Sequence, residues 1–192
     1  IAGTRVGYSN RMNPRNFSVY QIPNLALWMD ASDTTTVKLS GANVVSIADK
    51  SQNGLTMTAV GTVPYVSAAQ NGLNAVGNLT NTAYLATPSN NFDFNYNDFA
   101  VFAVYKTEST VGSLYPVITK NYGFGTGAPA KNYWGLYAGN ANPPNINMTY
   151  FPSSAAYSII GSPTTTTSTW IMVSSQVIHT ANASITLLNG TA

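Results

Sequence analysis

From Leu25 onward no stretch of the sequence holds an i, i+3, i+4, i+7 apolar pattern beyond two turns. A chain without that stripe has no face on which a surface helix could bury itself. Short apolar or alternating runs recur instead: "LALWM", "NVVSIAD", "LTMTAVG", "FAVFAVYKT", "LYPVITK", "NYWGLYAG", "NINMTYF", "TWIMVSSQVI" and "SITLLNG", separated by clusters of Gly, Pro, Asn and Ser. That punctuation predicts about ten short strands and an all-β sandwich. "NVVSIAD" alternates, and in "LTMTAVG" Leu55, Met57 and Ala59 share one face. "FAVFAVYKT" is apolar on both sides, with Phe99, Val101, Ala103 and Tyr105 opposing Ala100, Phe102 and Val104. In "TWIMVSSQVI", Trp170, Met172 and Ser174 oppose Ile171, Val173 and Ser175. Two apolar faces predict central strands buried between two layers. The Thr run at 164–167 after Pro163 reads as a short loop.

The 192 residues suit one domain of ordinary size. Hydrophobic residues make up 44% and aromatics 11%, which excludes a disordered chain. Charged residues are only 7%, against about 25% in ordinary proteins. Asn, Ser and Thr together supply about a third of the residues, so amides and hydroxyls carry the solubility. Such a surface suits an extracellular or virion protein better than a cytosolic enzyme. The net charge of +2 is too small to argue for a nucleic-acid partner. The longest apolar runs fall far short of the roughly 18 residues of a membrane-spanning helix, so no membrane insertion is expected. There are no cysteines, and no disulfide supports the fold.

Residues 1–23 mix Gly, Asn, Pro and Arg with no lasting period and read as an N-terminal arm, with Pro23 marking the entry to the domain at 24–192. Arg5, Arg11 and Arg15 are three of the eight basic residues. The arm is either an extension lying on its own domain or a partner-contact segment that docks on a neighbouring subunit; nucleic-acid binding is the weakest reading. The N-terminus has no signal-peptide pattern and no initiator Met, as expected of a processed or partial product.

"LALWMDASD" is followed by "GANVVSIADKSQNG", then "AYLATP", "DFAVFAVYKT", "YPVITK", "YWGLY", "TWIMVSSQV" and "ITLLNG". In order and spacing this series resembles the concanavalin A-like lectin/glucanase family in its laminin-G-like form, with an opening similar to those of phage and other virion proteins and of bacterial surface proteins. The resemblance covers residues 24–192 and implies a two-sheet antiparallel jelly-roll sandwich. Such domains usually continue for another strand or two after "NG"; the closing strands would come from further sequence, the arm or a partner. The usual "DKSGNG" turn reads "DKSQNG" here, with Gln52 in place of a glycine.

The resemblance implies a non-enzymatic virion structural protein, of the capsid-decoration or tail/fibre type, located at the virion surface. Its expected partners are other virion proteins, copies of itself and host-surface glycans. A carbohydrate-binding module of a secreted or cell-surface protein is the alternative, and a glycoside hydrolase with degenerate acids the third. Hydrolases of the family carry alternating acids on one strand, because glycoside hydrolysis needs two carboxylates across the scissile bond. The only glutamate here, Glu108, has no acid two residues to either side, and Asp93 and Asp98 flank a loop-like stretch. No catalytic residue is assigned. His179, the only histidine, reads as a strand-end residue, and without cysteine zinc and copper lack ligands. The spacing of Gly123, Gly125 and Gly127 does not make a dinucleotide fingerprint.

Asp30, Asp33 and Asp49 read first as turn residues whose carboxylates accept nearby backbone N–H groups, with Asn53-Gly54 able to take positive φ. The runner-up is a calcium site, which requires the two turns to converge and supply several carboxylate oxygens. The richest ligand-binding candidate is Lys120–Tyr137, where Asn121, Tyr122, Phe124, Asn132 and Tyr133 combine aromatic platforms with amides. Strand alternation assigns Trp134 to the core and leaves Tyr122 and Tyr133 as surface candidates.

Overall fold

The computed structural model describes residues 18–77, 79–80, 82–87, 92, 94, 97–107, 115–120, 133–138, 145–151, 158–164, 168–178 and 183–189. Among them the protein is all-β, with one 3-10 turn at Val19–Gln21 and thirteen strands in antiparallel ladders. They fall into two compact units, residues 1–87 and 88–192.

The first unit contains β1 (Val37–Ser40), β2 (Asn43–Ala48), β3 (Thr56–Val60), β4 (Tyr65–Gln70), β5 (Leu73–Val76) and β6 (Tyr84–Ala86). Strands β1, β2, β3 and β6 form one sheet in that order, and β4–β5 a separate hairpin. The hairpin turns at Asn71-Gly72, whose φ values of 50° and 79° give the turn hand that matches strand twist. "NVVSIAD" does not alternate strictly. Lys38 pairs with Ser46 and Leu39 with Val44, so Val45 is an extra residue, a β-bulge. The bulge lets Val44 and Ile47, which strict alternation places on opposite faces, both enter the core with Val63. Met29, Val37, Ala59, Tyr65 and Leu85 pack around them.

"LALWM" is not a strand. Its backbone groups are satisfied largely by side chains of the next turn: Asp49 accepts the Trp28 N–H, and the Asn53 amide donates to the carbonyls of Leu25 and Ala26. A segment bonded in this way gains nothing further from a ladder.

The second unit contains β7 (Phe99–Lys106), β8 (Tyr115–Lys120), β9 (Tyr133–Ala138), β10 (Asn145–Phe151), β11 (Ser158–Thr164), β12 (Trp170–Ile178) and β13 (Ala183–Leu188). One sheet runs β11-β10-β9-β8 and the other β13-β12-β7. Pro163 and Thr164 lie in β11 rather than in a loop. Proline donates no ladder bond, and both proline-bearing strands, β8 with Pro116 and β11 with Pro163, stand at the edges of their sheet. The sheets meet through an aromatic cluster: the Phe99 ring of β7 lies 5.5 Å from Trp134 of β9 and 5.5 Å from Tyr150 of β10, and Phe94 stacks on Phe99 at 4.4 Å. This face-to-face contact makes the unit sandwich-like.

The expectation that β7 and β12 are covered on both sides needs correcting. Phe99 and Val101 of β7, and Ile171, Val173, Ser175 and Val177 of β12, face inward and are buried. The opposite face, with Phe102, Val104 and Met172, is exposed. Among the described residues only one side of this sheet has a second sheet against it. Among the described residues β9 is buried on both faces: Trp134 and Leu136 on one side and Tyr137 on the other.

Candidate functional site

The two aspartate turns of the first unit do converge. Asp30 Oδ1 accepts the Ser32 N–H at 3.1 Å and hydroxyl at 2.6 Å, and Asp33 Oδ1 does the same for Thr35 at 3.1 and 2.6 Å. Asp49 Oδ1 accepts both the Trp28 and Ser51 N–H groups at 2.8 Å, and its Oδ2 accepts the Ser51 hydroxyl. Gly54, at φ 62°, turns the chain back. Lys50 ties the turns together: its Nζ lies 3.0 Å from Asp30 Oδ2 and 2.7 Å from Asp33 Oδ2, and 4.4 Å from the centre of the Trp28 ring. Tyr20 meets that ring edge-on at 4.7 Å.

The electrostatics follow from these contacts. Partial burial pushes the Asp30 carboxyl up, but the Ser32 hydroxyl, the Lys50 ammonium and the Ser32 N–H together more than offset it, and the net shift is downward. Lys50 first, then the Thr35 hydroxyl and N–H, lower Asp33 to about 2. Asp33 and Asp30 in turn raise Lys50.

This geometry does not fit a calcium ion. Each of Asp30 and Asp33 gives one oxygen to its own turn and the other to Lys50, both oxygens of Asp49 are engaged locally, and the point between the carboxylates holds an ammonium. No group of three acids or imidazoles suited to a metal occurs among the described residues. The aspartates act as turn residues. The signal in the sequence is Lys50, directly after Asp49 in "DKSQNG": it supplies the cation that Asp30 and Asp33 bind.

The sequence-derived ligand candidates Asn121, Tyr122, Phe124 and Asn132 lie outside the described residues, as do Arg5, Arg11, Arg15, Asp93, Glu108, His179 and the glycines at 123, 125 and 127. Tyr133 begins β9, and only its backbone is described. Trp134 is a core residue, 4% exposed, and its indole N–H donates to the Phe92 carbonyl at 3.0 Å. Lys120 at the end of β8 is also buried, which pushes its ammonium down.

The surface feature that stands out is the outer face of β13-β12-β7. Phe102 is 69% exposed, Val104 64%, Met172 51% and Ile185 48%. The register makes them neighbours: Val104 lies beside Met172, Phe102 beside Ser174, and Ser174 beside Leu187; Ala100, Gln176 and Ile185 form the next row. Trp170 closes one end beside Lys106, whose Nζ sits 6.0 Å from the indole. Scattered exposed apolar side chains are ordinary, whereas a contiguous apolar sheet face marks a contact surface.

Comparison with family models, curated proteins and solved structures finds no match for this chain. Among the described residues no helix is long and apolar enough to cross a membrane.

Proposed function

We propose that the chain is a non-enzymatic structural protein that works by assembly, presenting the outer face of β7, β12 and β13 to another protein surface. The observation that carries this reading is the contiguous exposure of Phe102, Val104, Met172 and Ile185 on one sheet face. Burial of that face supplies the driving force for association, and a surface poor in charge has few ions to desolvate when it packs. The virion setting, as a capsid-decoration or tail/fibre-type domain with a jelly-roll lectin-like body, is the part of the proposal that rests on the sequence resemblance.

Cross-linking and mass spectrometry of the intact native assembly test it. Lys106, at the end of the apolar face and exposed, is the informative site; Lys120 is buried and reacts poorly. Cross-links from Lys106 to repeated copies of a shell or tail protein, or of this chain, are the expected outcome. Cross-links confined to its own polypeptide, with Phe102 and Met172 still accessible to surface labelling in the particle, overturn it.

A further inference from the structure

Two turns of the first unit carry the same four residues. Gln52-Asn53-Gly54-Leu55 follows Asp49, and Gln70-Asn71-Gly72-Leu73 closes the β4–β5 hairpin. An asparagine before a glycine can react with its own backbone. The glycine nitrogen adds to the side-chain Cγ, and no Cβ on the glycine blocks the approach. The bond from Cγ to the amide nitrogen breaks, ammonia leaves and a succinimide ring remains. Water then opens the ring at either carbonyl. One opening gives aspartate; the other routes the backbone through the side chain and gives isoaspartate. Water is the only co-reactant, and nothing is oxidised or reduced.

Both Asn-Gly pairs are exposed, so access to water does not separate them. Hydrogen bonding does. The Asn53 amide donates to the Ala26 carbonyl at 2.8 Å and to the Leu25 carbonyl at 3.3 Å, and its backbone N–H donates to the Ser51 hydroxyl at 3.2 Å. Its Cγ cannot swing to the Gly54 nitrogen until those bonds break. The Asn71 amide makes no hydrogen bond among the described residues. Its hairpin is a two-stranded sheet by itself, with a register shift between Val66 and Gln70, so the Gln70–Leu73 pair alone closes the tip. The hairpin is tied down at the other end, where the Tyr65 N–H donates to the Ala42 carbonyl and its hydroxyl to the Ala31 carbonyl. Two strands outside a larger sheet are marginal, and such a tip opens locally at little cost. In a third pair, Asn189-Gly190, the Asn189 side chain is held, its Oδ1 accepting the Met172 N–H at 3.0 Å. We infer that Asn71 is a site of spontaneous deamidation in the folded chain, and that the Leu25 and Ala26 carbonyls protect Asn53 from the same reaction. The product places a negative charge on the hairpin tip of a chain whose net charge is only +2. Isoaspartate also lengthens a turn whose hand depends on φ values of 50° and 79°, and so parts Gln70 from Leu73.

Timed incubation of the full chain, folded in buffer and unfolded in urea, tests the inference. A chymotryptic digest cuts at Tyr65, between the two sites, and mass spectrometry reads the exchange of an amide NH2 for OH in each fragment. In urea the two sites should convert at matching rates, because the same residues flank both. In the folded chain Asn71 should convert at least about tenfold faster than Asn53; tenfold is about 1.4 kcal/mol, the scale of the bonds Asn53 must break. The Asn71 rate should rise with pH, because the attacking Gly72 nitrogen must lose its proton. Asn53→Asp sets a carboxylate against two carbonyls and should lower the urea midpoint, whereas Asn71→Asp should leave it unchanged. Equal rates at the two sites in the folded chain, a faster Asn53, or an Asn71 that stays intact while the urea sample converts overturns the inference.

Discussion

Gly61 is where the first unit's sheet leaves no room for a side chain. It follows β3 at φ 69°, in the left-handed region, and a Cβ there would overlap the Thr82 carbonyl oxygen, with the Thr82 carbon at 3.1 Å and the Ala83 Cα at 3.3 Å. The obstacle is backbone and cannot swing aside. It is held by the Thr80 N–H donating to the Ala83 carbonyl at 2.7 Å, and by the Thr82 and Ala83 N–H groups donating to the Thr80 hydroxyl at 3.2 and 3.1 Å. Gly41, between β1 and β2, is the control: its φ is 59° and nothing lies within 4 Å of its would-be Cβ. Gly41→Ala should cost only the left-handed conformation of an L residue, about 1–2 kcal/mol. Gly61→Ala carries that cost plus about 1–3 kcal/mol for displacing the 80–83 backbone and its hydrogen bonds. Urea unfolding of the wild type and both variants, read by a probe in the first unit, measures the difference. Equal costs for the two substitutions would refute the close approach of β3 and the segment before β6.

Three further outcomes are expected. Ser175 and Thr186 are register partners whose hydroxyls meet at 2.9 Å on the buried face of β12 and β13. Ser175→Ala should therefore cost about 1–3 kcal/mol by stranding the Thr186 hydroxyl, while Ser175→Ala with Thr186→Val costs less than the sum of the singles; additive costs in a denaturation cycle would dismiss the pair. Ala68 sits at φ 49° in the irregular stretch of β4, so Ala68→Gly should raise stability by up to about 1 kcal/mol, and a loss on thermal melting would contradict the left-handed assignment. Asp30 and Asp33 are both depressed in the folded chain, so their contribution is complete above the unfolded value of about 3.9 and is lost as pH falls through their folded values, about 2 for Asp33. Lys50→Met should flatten that acid limb, and a variant that keeps the wild-type pH profile would show that Lys50 does not hold the carboxylates.

The β class, most strand positions and the Trp134 core position were legible because alternation and turn residues are local signals. What was not legible depends on partners distant in sequence. "LALWM" reads as a strand by propensity, but Asp49 and Asn53, more than twenty residues on, take up its backbone groups. Val44 and Ile47 share a core only because of a bulge that shows in the pairing with β1 and not in the alternation of β2 itself. Short strands such as β1, β5 and β6 carry too few residues for a period to show, and their pairing supplies what propensity does not. Two apolar faces on β7 predict a layer on each side, and the outer face with Phe102 and Val104 is exposed instead. Periodicity reports that a face is apolar; it does not report what covers it.

The scarcity of charge explains why that face can be so apolar. Three of the chain's six acids, Asp30, Asp33 and Asp49, are committed to two turns, and Lys50 is committed with them. Charges used as internal turn ligands do little to solubilise the rest of a chain that has only fourteen charged residues. Amides and hydroxyls keep polar surfaces wet, but they contribute little on the outer field of β7 and β12, where Ser174 and Gln176 are the main polar groups among Phe102, Val104, Met172 and Ile185. Edge strands are ordinarily protected against further pairing by charge, particularly lysine, or by proline. The other sheet of the second unit has a proline on each edge strand, whereas β7 and β13, the edges of this sheet, have none. Proline thus guards the edges of one sheet, while the other keeps Phe102, Val104, Met172 and Ile185 exposed on its outer face.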